Sequence, residues 1–321
     1  MGLKILSSAD WHIMLHKKKV PYTWQEDRFK LMFKKIHELE SLCDVHIISG
    51  DVFDKKPEPD EVCLFLSFIN GVKIPTFIIS GNHEATKKGE SFLEYFNLEN
   101  TITNPNVKIF TKNTREVVNG QGFQFFPYGE MQTNKIPEYI EGDILVTHIR
   151  GEVPPHVTEE FDFEKLREWP LILLGDLHFN HQYKDFPARY PGSPLNTHFD
   201  RDSSKKYGVD IIDYSSTGNF KVSFIDLELP KLIRKTIKAQ EDVIGHDYHH
   251  VIYEVVGSID EVSKVKNSDL IDKKITTQPS ENSKIDLRNM SIIEELEEYL
   301  KYIKVENIEV VLNEYKKLNI Q

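Results

Sequence analysis

Cysteine is scarce: Cys43 and Cys63 are the only two in 321 residues. A disulfide-stapled scaffold is excluded and a reducing compartment, the cytoplasm, is expected. Both thiols lie in or beside apolar runs and are expected to be buried. Long hydrophobic runs are missing as well. No stretch approaches the roughly 18 apolar residues of a membrane span, and the apolar start at Leu3–Leu6 is too short for a signal peptide. An excess of positive charge is also lacking: 40 Lys and Arg stand against 51 Asp and Glu, a net charge of −11. That excludes a protein that holds nucleic acid by bulk charge. It leaves room for an enzyme that meets phosphates through a bound divalent cation, which inverts the local field. There is no internal repeat and no low-complexity tract. With 39% hydrophobic and 28% charged residues the chain is globular, long enough for one large or two modest domains.

What is present is an alternation of short apolar runs and amphipathic stretches. Strands are predicted over residues 3–8, 45–49 and 74–80, with helices over 24–42 and 60–70 between them. This order predicts a buried, largely parallel sheet. Further strands follow at 107–110, 114–118, 123–127, 144–148 and 171–175. Residues 207–213 and 220–227 read as an antiparallel pair around Ser216–Thr217–Gly218–Asn219. The expected fold class is α/β: two sheets in a sandwich flanked by helices (α/β/β/α). Pro230 marks a boundary between a domain at 1–230 and a small α+β domain at 231–321. The second would hold strands at 249–257 and 270–276, a short helix at 260–265, a polar loop at 278–283, and amphipathic helices at 292–303 and 308–318.

The chemistry sits at strand ends. The first strand runs into Asp10–Trp11–His12, the second into Gly50–Asp51–Val52–Phe53–Asp54, the third into Gly81–Asn82–His83–Glu84, and later ones into Thr147–His148 and Gly175–Asp176–Leu177–His178. Ligands of open α/β sheets bind outside the carboxyl ends of strands. Each piece alone is also an ordinary turn, since Asp, Asn and Gly favour turns; five in succession point to one site. Carboxylate, imidazole and one amide, without thiolate, suit a divalent ion such as Mn²⁺, Fe²⁺ or Zn²⁺. There are more ligands than one ion needs, as in a two-metal hydrolytic site with a shared carboxylate. Gly50, Gly81 and Gly175 would let the chain turn beside the ions without a Cβ clash.

In this order and spacing the motifs resemble the calcineurin-like metallophosphoesterase signature, over residues 5–180. Within that superfamily the chain looks most like the SbcD or meiotic-recombination-eleven nuclease subunits, bacteriophage recombination endonuclease subunits among them. Phe53 before Asp54, Lys55–Lys56 after it, Tyr190–Pro191–Gly192–Ser193 and the small second domain, similar to a capping domain, carry that branch. Two positions depart from it: Asp176 stands where most of the family has His, and Glu84 where many relatives have Asp. The resemblance implies that Asp10, His12, Asp51 and His178 hold one ion. It implies that Asp51, Asn82, His148 and Asp176 hold a second. Mn²⁺ is the metal it favours. His83 would stabilise charge or protonate the leaving oxygen, with Asp54 orienting its ring. It further implies a DNA exonuclease and endonuclease of an end-processing complex with an SbcC-type, SMC-like ATPase, and a homodimer. A host's cytoplasm is the expected location if the source is a bacteriophage. A metallophosphatase or phosphodiesterase for a small molecule or phosphoprotein, and a non-catalytic scaffold, are the rival readings.

Other residues leave alternatives open. His16–Lys17–Lys18–Lys19 is a solvated loop or a phosphate contact. Trp11 is a wall of the site or plain core. His181 reads as a surface residue, His198 as reaching DNA or nothing, and His246, His249 and His250 as surface residues. The stripes Ile292, Ile293, Leu296, Leu300, Ile303 and Ile308, Val311, Leu312, Tyr315, Leu318 would pack on the second domain or dock the ATPase.

Overall fold

The computed structural model describes residues 2–86, 90–97, 101–131, 137–152, 159–215, 219–275 and 290–318. The turn expected at Ser216–Thr217–Gly218 and the polar loop at 278–283 lie outside them. The elements in chain order are β1 (Leu3–Ser8), α1 (Tyr22–Glu40), β2 (Val45–Ile48), α2 (Pro59–Gly71), β3 (Thr76–Ile79), β4 (Val107–Phe110), β5 (Thr114–Val118), β6 (Gln121–Phe126), α3 (Tyr128–Met131), β7 (Ile144–His148), β8 (Ile172–Gly175), β9 (His181–Gln182), β10 (Ala188–Tyr190), β11 (Gly208–Tyr214), β12 (Phe220–Asp226), β13 (Leu232–Lys238), β14 (His250–Gly257), α4 (Ile259–Lys264), β15 (Ile271–Ile275), α5 (Ile292–Tyr302) and α6 (Ile308–Leu318). Two six-stranded mixed sheets have the orders β12-β11-β1-β2-β3-β4 and β5-β6-β7-β8-β10-β9; a third is β13-β14-β15.

The two large sheets face each other. Ile5, Val45, Ile47, Phe77 and Ile79 of the first share one core with Phe123, Phe125, Ile144, Val146 and Leu173 of the second. Phe77 and Phe110 both meet the ring of Phe125, at 5.3 and 4.7 Å. On the far side of the first sheet α1 presents Phe29, Met32, Phe33 and Ile36, three or four residues apart, and α2 presents Leu64, Phe65, Phe68 and Ile69. The central strands are therefore buried on both faces, and β7 reads apolar without alternation for that reason. α2 starts sharply because Glu58 and Glu61 form a reciprocal cap and Pro59 needs no donor there. This is the expected α/β/β/α sandwich. The short β9 and β10 and the later β13 had no predicted counterpart. Cys63 corrects an expectation: it lies on the solvent face of α2 and is exposed, while Cys43 is half-buried.

A buried polar chain fixes the carboxyl end of β1. Trp11 Nε1 donates to Ser8 Oγ (3.1 Å), Ser8 Oγ meets His46 Nε2 (2.9 Å), and His46 Nδ1 meets Glu40 Oε1 (2.8 Å). His37 Nδ1 binds the other oxygen of Glu40 at 2.7 Å. Trp11 is thus core, packed on Phe33 and Phe68. Burial pushes Glu40 up, but the bonds from His37 and His46 outweigh it and hold the carboxyl at about 2, against 4.5 ordinarily. A depressed folded value means stability present above the unfolded value and lost as the pH falls toward the folded one. The loss amounts to about 3 kcal/mol at most. Urea unfolding between about pH 5 and pH 2 is expected to show this slope, and Glu40→Gln to flatten it.

The chain divides into two compact units. One comprises Met1–Lys235, Asp242–Tyr253 and Ser268–Ile271; the other comprises Thr236–Glu241, Glu254–Asn267 and Asp272–Gln321. In the second, α5 and α6 pack together, yet among the described side chains of the two apolar stripes only Leu300 and Leu312 are buried; Ile292, Ile293, Ile303 and Val311 are exposed. In the first, His250 corrects another expectation: it is buried, with Nε2 2.6 Å from the Lys19 carbonyl. His246 is exposed and His249 half-buried.

Candidate active site

The strand ends of both sheets converge. Asp10 and His12 follow β1, Asp51 follows β2, Asn82 and His83 follow β3, His148 ends β7, and His178 follows β8. The loop after β1 runs alongside that after β2: Asp10 N donates to the Gly50 carbonyl (3.0 Å), His12 N to that of Asp51 (3.0 Å) and Ile13 N to that of Val52 (2.8 Å). Asp10, His12, Asp51 and Asp176 all have left-handed backbone, with φ of 54°, 46°, 52° and 109°. Such strain at non-glycine residues persists only where the surroundings over-determine it. Gly50, with φ 91°, stands where a Cβ would come within 2.5 Å of His148 Nδ1 and 2.9 Å of Gly81 Cα, so no other residue fits.

Three groups of donors result: Asp10, His12 and His178; His12, Asp51 and His83; and Asp10, Asp51 and His148, with ligand atoms within 4.8 Å of one another. His12 Nε2 faces His178 Nε2 at 2.9 Å and lies 3.6 Å from Asp51 Oδ2. His148 Nδ1 meets the Ser49 carbonyl at 2.7 Å, which turns Nε2 toward Asn82 Oδ1 (2.8 Å) and Asp51 Oδ2 (3.5 Å). His178 Nδ1 meets Thr197 Oγ1 at 3.1 Å. These outer bonds orient each ring, as ligand histidines require.

The site crowds like charges out of water. Asp10 and Asp51 are both buried, and Asp10 is raised well above the usual carboxylate range by that burial and by Asp51 and Asp176, despite His148. Burial pushes Asp51 up too, but His148, His12 and His83 outweigh it and hold it below the usual range. His178 falls to about 4 through burial and its neighbour His12, so its ring is neutral at pH 7. Burial lowers His148, yet Asp51 prevails and lifts it to about 10; a divalent ion competes with that proton for Nε2. Two buried carboxylates and imidazole nitrogens turned on one another are satisfied together by divalent cations. The donor set fits such ions.

Glu84 is the residue whose part the sequence did not reveal. Its carboxylate accepts from the backbone N–H of Asp51 (3.0 Å), Phe53 (2.9 Å) and Gly81 (2.7 Å), tying the loops after β2 and β3 together. Burial and the adjacent Asp51 push it up to about 7. A buried acid next to Asn82–His83 was the available signal. Arg28 is similar: it is buried and donates to the Pro230 carbonyl (2.7 Å) and to Asn196 Oδ1 (2.6 Å), beside Thr197.

Two of the expected roles meet other partners in the structure. Asp176 joins none of the three groups; its carboxylate is clasped by Arg150, Nε to Oδ2 at 2.9 Å and a terminal nitrogen to Oδ1 at 3.2 Å. Arg150 lies two residues beyond His148 and supplies the charge partner directly. Asp176→Asn is accordingly expected to keep the metal content of the unmutated chain, measured by elemental analysis after dialysis; loss of an ion would establish it as a ligand. Asp54 does not orient His83 through its carboxylate. Its carbonyl accepts from His83 Nδ1 at 2.5 Å, while its carboxylate Oδ1 stands 3.5 Å from His12 Nδ1.

Fold and donor set together define a metal-dependent phosphoesterase. Residues 3–215 match the calcineurin-like phosphoesterase family, and the chain belongs to it, as its motifs suggest. Over 311 residues it is 36% identical to the probable exonuclease subunit 1 of Escherichia phage T5, across 94% of this chain and 93% of that protein. Among solved structures it is similar to TT1561 of Thermus thermophilus, with 12% identity, TM-score 0.44 and 71% of this chain against all of that one. It is also similar to GAP50, the anchor in the inner membrane complex of Plasmodium, with 12% identity, TM-score 0.45 and 87% of this chain against 98% of that one. No helix among the described residues is long and apolar enough to cross a membrane.

Proposed function

We propose that this chain is a Mn²⁺-dependent DNA nuclease of SbcD type, hydrolysing phosphodiesters at the site of Asp10, His12, Asp51, Asn82, His148 and His178. The observation that carries the reading is that Asp10, His12 and Asp51 are each shared between two donor groups, the layout two adjacent ions need. Likeness to a phage exonuclease subunit along nearly the whole chain favours nucleic acid over a small ester. Bound ions there would supply an activated water and neutralise phosphate charge. The chain's own residues do the rest. Asp51 offers Oδ2 to both groups. His83, exposed and held at Nδ1 by the Asp54 carbonyl, presents Nε2 to the departing oxygen. Glu84 and Gly50 keep the loops in register.

The same reading includes an SbcC-type ATPase partner, a homodimer and a cytoplasmic location. The exposed apolar positions of α5 and α6 support a helical partner, and the acidic chain suits one that supplies part of the DNA grip. The test is nucleotide release from linear duplex and single-stranded DNA with Mn²⁺, with and without EDTA. Release that EDTA abolishes is expected. No release, with bis-nitrophenyl phosphate still cleaved by the chain plus its ATPase, would favour a small-molecule phosphodiesterase.

A further inference from the structure

A cavity of about 530 Å³ opens beside the site and shares His178 with it. That volume lies within the roughly 300–1,000 Å³ of small-ligand sites. Phe179, the next residue, lines it and is 46% exposed, a large flat ring left to solvent at the edge of a catalytic centre. Lys205 and Lys206 line it as well, in a chain whose net charge is −11. Lys205 is held in place: its Nζ lies 3.0 Å from Asp200 Oδ1, and Asp200 is fixed in turn by Tyr207 and Asn196. His198 completes the wall, bonded at Nδ1 to the Thr197 hydroxyl that also meets His178. The cavity therefore pairs an exposed aromatic face with two lysines against one carboxylate, Asp200, and it begins at a residue of the metal-capable cluster.

We infer that this cavity is the subsite for one unpaired nucleotide next to the reacting phosphate, its base stacked on Phe179 and its phosphate facing Lys205 and Lys206. This rests on the nuclease reading above and specifies how that site holds its strand. Stacking needs a base face freed from its partner, so the subsite takes a single strand or a frayed end and tolerates any base. A second cavity, reached through His83, is the weaker candidate. Its Lys55, Lys56 and Lys112 are outnumbered by Asp54, Glu90, Glu94 and Glu130.

The test compares two substrates on the full chain with Mn²⁺: a single-stranded oligonucleotide and a strand of the same length built from abasic tetrahydrofuran phosphates, which has no ring to stack. Phe179→Ala is expected to lower the ratio of their kcat/KM values about tenfold, within the range for loss of one base–aromatic stack. Phe179→Trp is expected to hold the ratio within about twofold, because the stacking face is kept. An oligonucleotide with a single abasic position, scanned along the strand, should reproduce the loss at one position, where Phe179→Ala adds nothing further. A Phe179→Ala ratio equal to that of the unmutated chain overturns the inference, as does additive loss at every abasic position. An unmutated chain that cleaves bis-nitrophenyl phosphate but neither binds nor cuts any oligonucleotide overturns the nuclease reading as well.

Discussion

Asp51→Asn is expected to lower metal-dependent phosphodiester hydrolysis by more than about 10³-fold, several kcal/mol of lost charge stabilisation. Asp51 Oδ2 lies 3.6 Å from His12 Nε2 and 3.5 Å from His148 Nε2, so one oxygen serves two donor groups. Its Oδ1 accepts from the His83 backbone N–H at 2.9 Å. Asparagine keeps the size and an acceptor for that bond, so the loop stays in place and what disappears is the charge. Hydrolysis of bis-nitrophenyl phosphate with elemental analysis of bound metal checks this. Activity within tenfold of the unmutated chain would remove Asp51 from the centre of the site.

His83→Ala is expected to slow DNA cleavage by roughly 10²–10⁴-fold, the range for losing a general acid. Geometry alone would also allow His83 to act as a ligand, since it shares a group with His12 and Asp51. The leaving group separates the two roles. A sugar oxygen needs a proton as it departs and nitrophenolate does not. A general acid therefore predicts a much smaller loss on bis-nitrophenyl phosphate than on DNA, with metal content retained. Equal losses on both substrates, accompanied by loss of metal, would make His83 a ligand.

The sequence carried the sandwich because its two signals are local. Apolar runs at β1, β2 and β3 alternate with helical spacing in α1 and α2, and each run ends in a residue with a reason to be there. β9 and β10 were illegible for the opposite reason: two and three residues long, β10 is a strand only because β8 lies alongside and β9 only because β10 does. The donors were legible as residue types after strands, since topology alone brings strand ends together. Their partners were not. Nothing in Gly175–Asp176–Leu177–His178 says that Arg150 will clasp Asp176 across 26 positions. Nothing in Asp54 says that its carbonyl, not its carboxylate, will hold His83. Spacing reports which groups arrive at a site, and only three-dimensional neighbours decide which charge each one faces. Cys63 and His250 fail in the same way, each misplaced because exposure depends on which face the fold covers.

Glu84 has a consequence for how the molecule opens. Surface loops usually release their amide protons to solvent quickly, because they unfold in small, cheap excursions. The amides of Asp51, Phe53 and Gly81 sit in loops, yet all three end on one buried carboxylate. Freeing any of them strands a charge or an acceptor in the interior, so the two loops can open only together. Their amides should exchange with deuterium on the timescale of the β2 and β3 core and not on that of the exposed surface. A catalytic edge that opens only with that core leaves any distortion needed to bring a phosphate into place to the substrate.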